Sequence, residues 1–169
     1  MIRSILVATH GTAGAVRAEA YACFLARTMD AALHGLYVIH SGWASLVGIE
    51  WLHSSRVRMD FYRYAESEFH RRAEEVLAHL RSVAGDRDLT TAVRVGDPAE
   101  VIADEARVRA ADLIVIGGRG PARSEEYRDR LSVKKLLKQA PCPVLVATAL
   151  SAALAEGGGA DRIATGMIS

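Results

Sequence analysis

Chemistry in this chain has few places to reside, and the first is the stretch DLIVIGGRG at residues 112–120. An apolar, β-branched run from Leu113 to Ile116 stops abruptly at Gly117, Gly118 and Gly120. This is the pattern of a buried strand entering a glycine turn. Glycines there let backbone N–H groups approach a phosphate, and a following helix N-terminus attracts the same charge. The Gly117-x2-Gly120 spacing is also what a plain strand-to-helix turn requires, so the pair reads both ways. His10, after the first apolar run, admits three readings: a solvated loop histidine, a contact to a ligand ribose or phosphate, or a general base. No Ser or Cys nucleophile stands near it in sequence. His34, His40, His53, His70 and His79 show no paired metal-ligand spacing. Cys23 and Cys142 are the two cysteines, too few for a disulfide framework or a zinc pattern. Arg119, Arg123, Arg128, Arg130, Lys134, Lys135 and Lys138 form a basic segment diluted by Glu125, Glu126 and Asp129. It reads as a solvated face, with phosphate steering as the second reading.

The elements that must position these residues alternate regularly. Strands are expected at 2–8, 32–39, 89–95, 112–117 and 143–148. Helices are expected between them. The first, to Met29, puts Val16, Ala20, Cys23 and Phe24 on one face. The second, from Arg56 to Val83, has the stripe Ala65, Phe69, Ala73, Val76, Leu77, Leu80 and Val83, with paired charges opposite. The third opens on Asp97-Pro98 with Glu100 three places on, an N-cap and capping-box pattern. The fourth covers Ser132 to Lys138, before Pro141 and Pro143. Residues 40–54 read as a loop with a short helical turn, and 151–169 as a mobile tail following a single domain at 1–150. The order βαβαβαβαβ with right-handed crossovers gives an α/β, doubly wound parallel sheet.

Composition narrows the function classes. The chain has 169 residues, half of them hydrophobic, and a formal charge of +1. One domain with a real core is expected, and nothing in the balance points to nucleic acid. No apolar run approaches the roughly 20 residues of a membrane span. The N-terminal apolar segment is short for a secretory signal and reads better as a strand. The expectation is a reduced, cytoplasmic protein.

The segments ILVATHG, LYVIH, VRVGDPAEVIADEA, DLIVIGGRG and APCPVLVA, in this order across residues 2–148, resemble the universal stress protein family. The resemblance implies a Rossmann-like, adenosine-binding fold of strand order 3-2-1-4-5, and a homodimer formed through the last strand at Val144, Leu145, Val146 and Ala147. Many members bind ATP or AMP through Gly-x2-Gly-x9-Gly-Ser/Thr and an Asp at the first strand's end. Here Gly117 and Gly120 match the first pair, Arg130 and Leu131 stand where Gly-Ser is expected, and His10 occupies the Asp position. Ser132 supplies a hydroxyl only if the loop slips by one residue. The implied adenine contacts fall at the first-strand loop, Thr9 and His10, and at the backbone of Val38. Arg119 completes the candidate phosphate side. His10 removes the oxygen ligand that magnesium prefers. The expected function is therefore a dimeric stress-response module whose adenine-nucleotide site is degraded, with no catalysis and no metal. A scaffold for an unidentified protein partner belongs to the same reading. The alternative is a genuine ATP or AMP binder that uses Arg130 in a variant loop. Ligase and phospho-receiver readings lack their acids, because THGTAG has none and Gly96 follows the third strand.

Overall fold

The computed structural model describes residues 1–42, 55–118 and 131–148. Its elements are β1 (Ser4–Thr9), α1 (Ala13–Met29), β2 (Ala32–His40), α2 (Ser55–Ala84), β3 (Leu89–Gly96), α3 (Pro98–Val108), β4 (Leu113–Gly117), α4 (Val133–Gln139) and β5 (Val144–Ala147). Each expected strand is present, with ends displaced by a residue or two. The five strands form one parallel sheet in the order β3-β2-β1-β4-β5. The loop expected from residue 40 begins differently. His40 still belongs to β2, Ser41 and Gly42 turn, and the remainder to 54 lies outside the described residues, as does the expected tail.

Alternation along each strand divides the core in two. On one face Ile5, Val7, Leu33, Tyr37 and Val115 pack under α1 and α2. On the other, Leu6, Leu36, Ile114 and Ile116 pack under α3 and α4. The central strands are buried on both faces, which is why their sequences read as unbroken apolar runs.

The helices show where local pattern and tertiary contact disagree. In α1 the buried stripe is Ala15, Ala18, Glu19, Ala22, Cys23, Leu25 and Ala26. Val16 is exposed and Ala20 only half-buried, so the expected face is rotated. Alanines occur all round this helix, and the closest approach to the sheet selects small residues over Val16. In α2, Ala73, Val76, Leu77, Leu80 and Ala84 are buried, while Val57, Met59 and Tyr64 are exposed. The charged side of α2 pairs internally, with Arg71 bonded to both Glu68 and Glu75. Asp97 caps α3 by accepting from the N–H groups of Ala99 (3.0 Å) and Glu100 (3.2 Å). The carboxylate of Glu100 goes to the ammonium of Lys135 on α4 at 2.9 Å. Lys135 also meets Asp97 at 3.1 Å, so one lysine joins α4 to the start of α3.

The closest backbone approach lies where α1 begins. A Cβ on Gly117 would overlap the carbonyl of Gly14 and stand 2.6 Å from the Ala15 nitrogen. A Cβ on Gly14 would overlap the carbonyl oxygen of Gly118. Backbone atoms cannot swing aside as a side-chain tip can. Gly117→Ala is therefore expected to cost roughly 1–3 kcal/mol with no ligand present, read as a lowered midpoint of urea unfolding. An unchanged midpoint would show that the turn relaxes freely.

A second expectation concerns acid. Burial opposes ionisation of Asp97, yet the Glu100 N–H and the Lys135 ammonium hold its carboxyl below the usual range. A depressed folded value contributes stability above the unfolded value, and that contribution is lost as pH falls through the folded one. Asp97→Ala should therefore lose about 1 kcal/mol at neutral pH and show a shallower loss of stability below about pH 4. Thermal melts of both proteins from pH 7 to pH 3 check this.

Candidate functional site

In the order β3-β2-β1-β4-β5, all strands run the same way, but the direction in which successive strands are added reverses between β1 and β4, and a crevice opens there at the carboxyl ends of the strands. Such a cleft is present. Its floor is Ala8, Leu36, Val38 and Ile116, and Thr9 and Gly117 stand at the strand ends. Pro98 and Ile102 of α3 form one wall with Leu131, and His10 and His40 bring the imidazoles. Val38 is the first β2 residue past the last β1–β2 partner pair, Thr9 with Tyr37. Its β1 side is therefore free of ladder partners, where a ligand can meet the backbone.

The sequence-expected residues divide clearly. Thr9, His10, Val38 and Gly117 meet in this cleft. Arg119, Gly120 and Arg130 lie outside the described residues. Ser132 is the N-cap of α4, and its hydroxyl accepts from the Lys135 N–H at 3.3 Å. That hydroxyl accepts from the helix and keeps its own O–H to donate, and the neighbouring cleft wall is the apolar Leu131. The Gly117 turn is packed on its Cβ side by the first turn of α1. Its glycine is required by the fold whatever binds there.

Hydrogen bonds assign roles within the turn. The Nε2 of His10 lies 3.1 Å from the hydroxyl of Thr12, which caps α1 by accepting from Ala15 N–H at 3.4 Å. Thr9 is buried, and its hydroxyl donates to Glu19 on the α1 side. Thr9 therefore offers the cleft backbone rather than its side chain. His40 was missed in sequence because it matched no metal spacing. Its Nδ1 accepts from the Gly42 N–H at 2.9 Å. With Nδ1 accepting, Nε2 is the ring nitrogen that can donate into the cleft. The apolar wall from Pro98, Ile102 and Leu131 was equally invisible, since these residues read locally as helix starts and core. A second cleft lies on the opposite face, lined by Ile39, Tyr62, Glu66, Phe69, His70 and Val95.

The arrangement suits a flat, largely apolar group held by backbone contacts and a few neutral donors. Among the described residues, no group of three His, Cys, Asp or Glu could hold a metal, and no helix is long and apolar enough to cross a membrane. Neither cysteine is poised as a nucleophile. Burial pushes the Cys23 thiol up to about 11 and also raises that of Cys142.

Comparison with known proteins places this geometry. A universal stress protein family protein from Burkholderia pseudomallei is 26% identical, with TM-score 0.53 over 86% of this chain and 95% of that one. The universal stress protein UspA from Lactobacillus plantarum is 22% identical, with TM-score 0.55 over 87% and 98%. A universal stress protein from Archaeoglobus fulgidus, solved in complex with dAMP, is 14% identical, with TM-score 0.55 over 88% and 98%. No curated protein sequence matches. The family model for the universal stress protein family matches residues 1–148, and the chain belongs to that family.

Proposed function

We propose that this protein is a dimeric, cytoplasmic stress-response module that binds adenine-containing ligands through their base and ribose, holds triphosphate weakly, and catalyses nothing. The observation that carries this reading is the composition of the cleft. Its floor and α3 wall are apolar, His10 stands where the family's metal-side acid is expected, and Leu131 occupies the wall next to Ser132, whose hydroxyl caps α4. The dAMP complex of the Archaeoglobus fulgidus protein supports an adenine ligand. A phosphate cradle needs backbone donors, a hydroxyl and a cation, and a metal adds a hard oxygen ligand. Losing two or three charge-assisted bonds lowers affinity by about two orders of magnitude or more.

Calorimetric titration with magnesium-ATP tests this. The triple variant His10→Asp, Arg130→Gly, Leu131→Ser is expected to bind more tightly than the native chain, and the native chain to hydrolyse no ATP. The second reading rests on the guanidinium of Arg130, whose fork suits phosphate. Low-micromolar binding by the native chain, weakened by Arg130→Gly, would make Arg130 a ligand and overturn the degraded-site reading.

The dimer is proposed through β5, which among the described residues is an edge strand paired with β4 on one side. Val146 is exposed, Val144 and Leu145 are half-buried, and Ala147 is fully buried. An open apolar edge invites pairing. Light scattering is expected to give the mass of two chains, and Val146→Lys to give one. A native monomer at micromolar concentration would remove β5 as an interface.

A further inference from the structure

Behind the cleft lies an acid that the nucleotide reading does not use. Glu19 belongs to the sheet-facing stripe of α1 and has no solvent exposure. One carboxylate oxygen accepts from the hydroxyl of Thr9, the residue that ends β1. The other lies 2.8 Å from Nδ1 of His79 on α2. A buried carboxylate is costly unless it is paired and hydrogen-bonded. Only one of its two partners can carry charge. The His79 side chain is 49% exposed, so it exchanges protons with solvent. Thr9, in turn, supplies the backbone that borders the cleft.

We propose that Glu19 is a positioning residue that fixes the end of β1 through Thr9, and that protonation of His79 passes through it to the cleft. With imidazolium present, the buried charge is balanced, α2 is pinned to α1, and Thr9 is held. With neutral imidazole, the same hydrogen bond persists without its charge, and the strand end loosens. The other groups facing this cluster are identifiable. On α1, the Cys23 thiol lies within the field of Glu19, with Arg27 and Arg87 also acting on it. On α2, the Arg72 guanidinium packs on Gly11, and Glu75, one turn before His79, pairs with Arg71 and Arg72. Across the cleft stand His10 and His40. Imidazole is the side-chain type among these whose ordinary range lies between pH 5 and 8.

The effect on ligand rests on the adenine-site reading, whereas the effect on the turn does not, and the experiment separates them. NMR follows the Thr9 amide from pH 5 to pH 8 in His10→Gln, which removes the adjacent imidazole. A titration step is expected there, and its loss in His10→Gln/His79→Gln. Glu19→Gln in the same background keeps an oxygen to accept from Thr9, replaces the one facing His79 with an N–H that only a neutral Nδ1 can accept, and removes the charge, so the fold should persist while the step disappears. In parallel, the ratio of adenosine affinity at pH 5.5 to that at pH 8 should be roughly fivefold larger in His10→Gln than in His10→Gln/His79→Gln, His40 being present in both. Adenosine is neutral throughout, so it does not report phosphate attraction. A Thr9 step that survives the loss of His79 overturns the proposal. If adenosine binds at neither pH, the site reading fails, and the amide step alone decides the coupling.

Discussion

The contact between Gly14 and Gly117 sets the geometry of the whole upper face. The first turn of α1 can start where it does only because neither residue carries a Cβ. That approach brings the N-terminus of α1 against the end of β4, beside the point between β1 and β4 where the strand order reverses and the cleft forms. With a side chain at either position, α1 must lift. Its alanine-rich inner stripe, Ala15, Ala18, Ala22 and Ala26, would then leave the sheet. Small residues continue along the same face of the helix, where Ala15, Ala18, Ala22 and Ala26 are fully buried against the sheet.

Two layers are balanced across this sheet. The α1 and α2 side carries the larger cluster and the buried Glu19. The α3 and α4 side carries the cleft, and its walls depend on polar ties as much as on packing. Asp97 starts α3, Lys135 joins it to α4, and Glu105 further along α3 is buried between Arg94 at 3.1 Å and Arg109 at 3.0 Å. The burial of Glu105 is thus matched by two guanidinium groups, whereas Glu19 has a hydroxyl and an imidazole. The same residue type serves as a static strut in one layer and as a responsive contact in the other.

Much of the fold was legible because its signals are local. A strand buried on both faces must be apolar throughout, and Leu113 to Ile116 could hardly be anything else. Asp97-Pro98 announces a helix start by its own chemistry. What remained unread depends on partners distant in sequence. Glu19 looks like any solvated acid until Thr9 and His79 are brought to it, and Val16 looks like core until α1 is rotated by its small-residue contacts. His40 gains its donor role only because the chain turns back at Gly42. Gly117 was read both as a turn and as a ligand contact. The turn requirement follows from Gly14, more than a hundred residues earlier, and no spacing rule within 112–120 contains it.

The long helix α2 carries a different consequence. Its 30 residues span about 45 Å, yet its fully buried side chains run only from Ala73 to Ala84. From Arg56 to Arg72 the positions are intermediate or exposed, Val57, Met59 and Tyr64 among them. Burial rather than intrinsic propensity supplies most helical stability in a protein. The two halves therefore belong to different cooperative units. Backbone amides toward the start of α2 exchange with solvent through local fraying, while those beside Leu77 and Leu80 are released only when the domain itself opens. One unbroken helix thus joins a lightly buried half to a firmly packed one, and His79 sits within the latter.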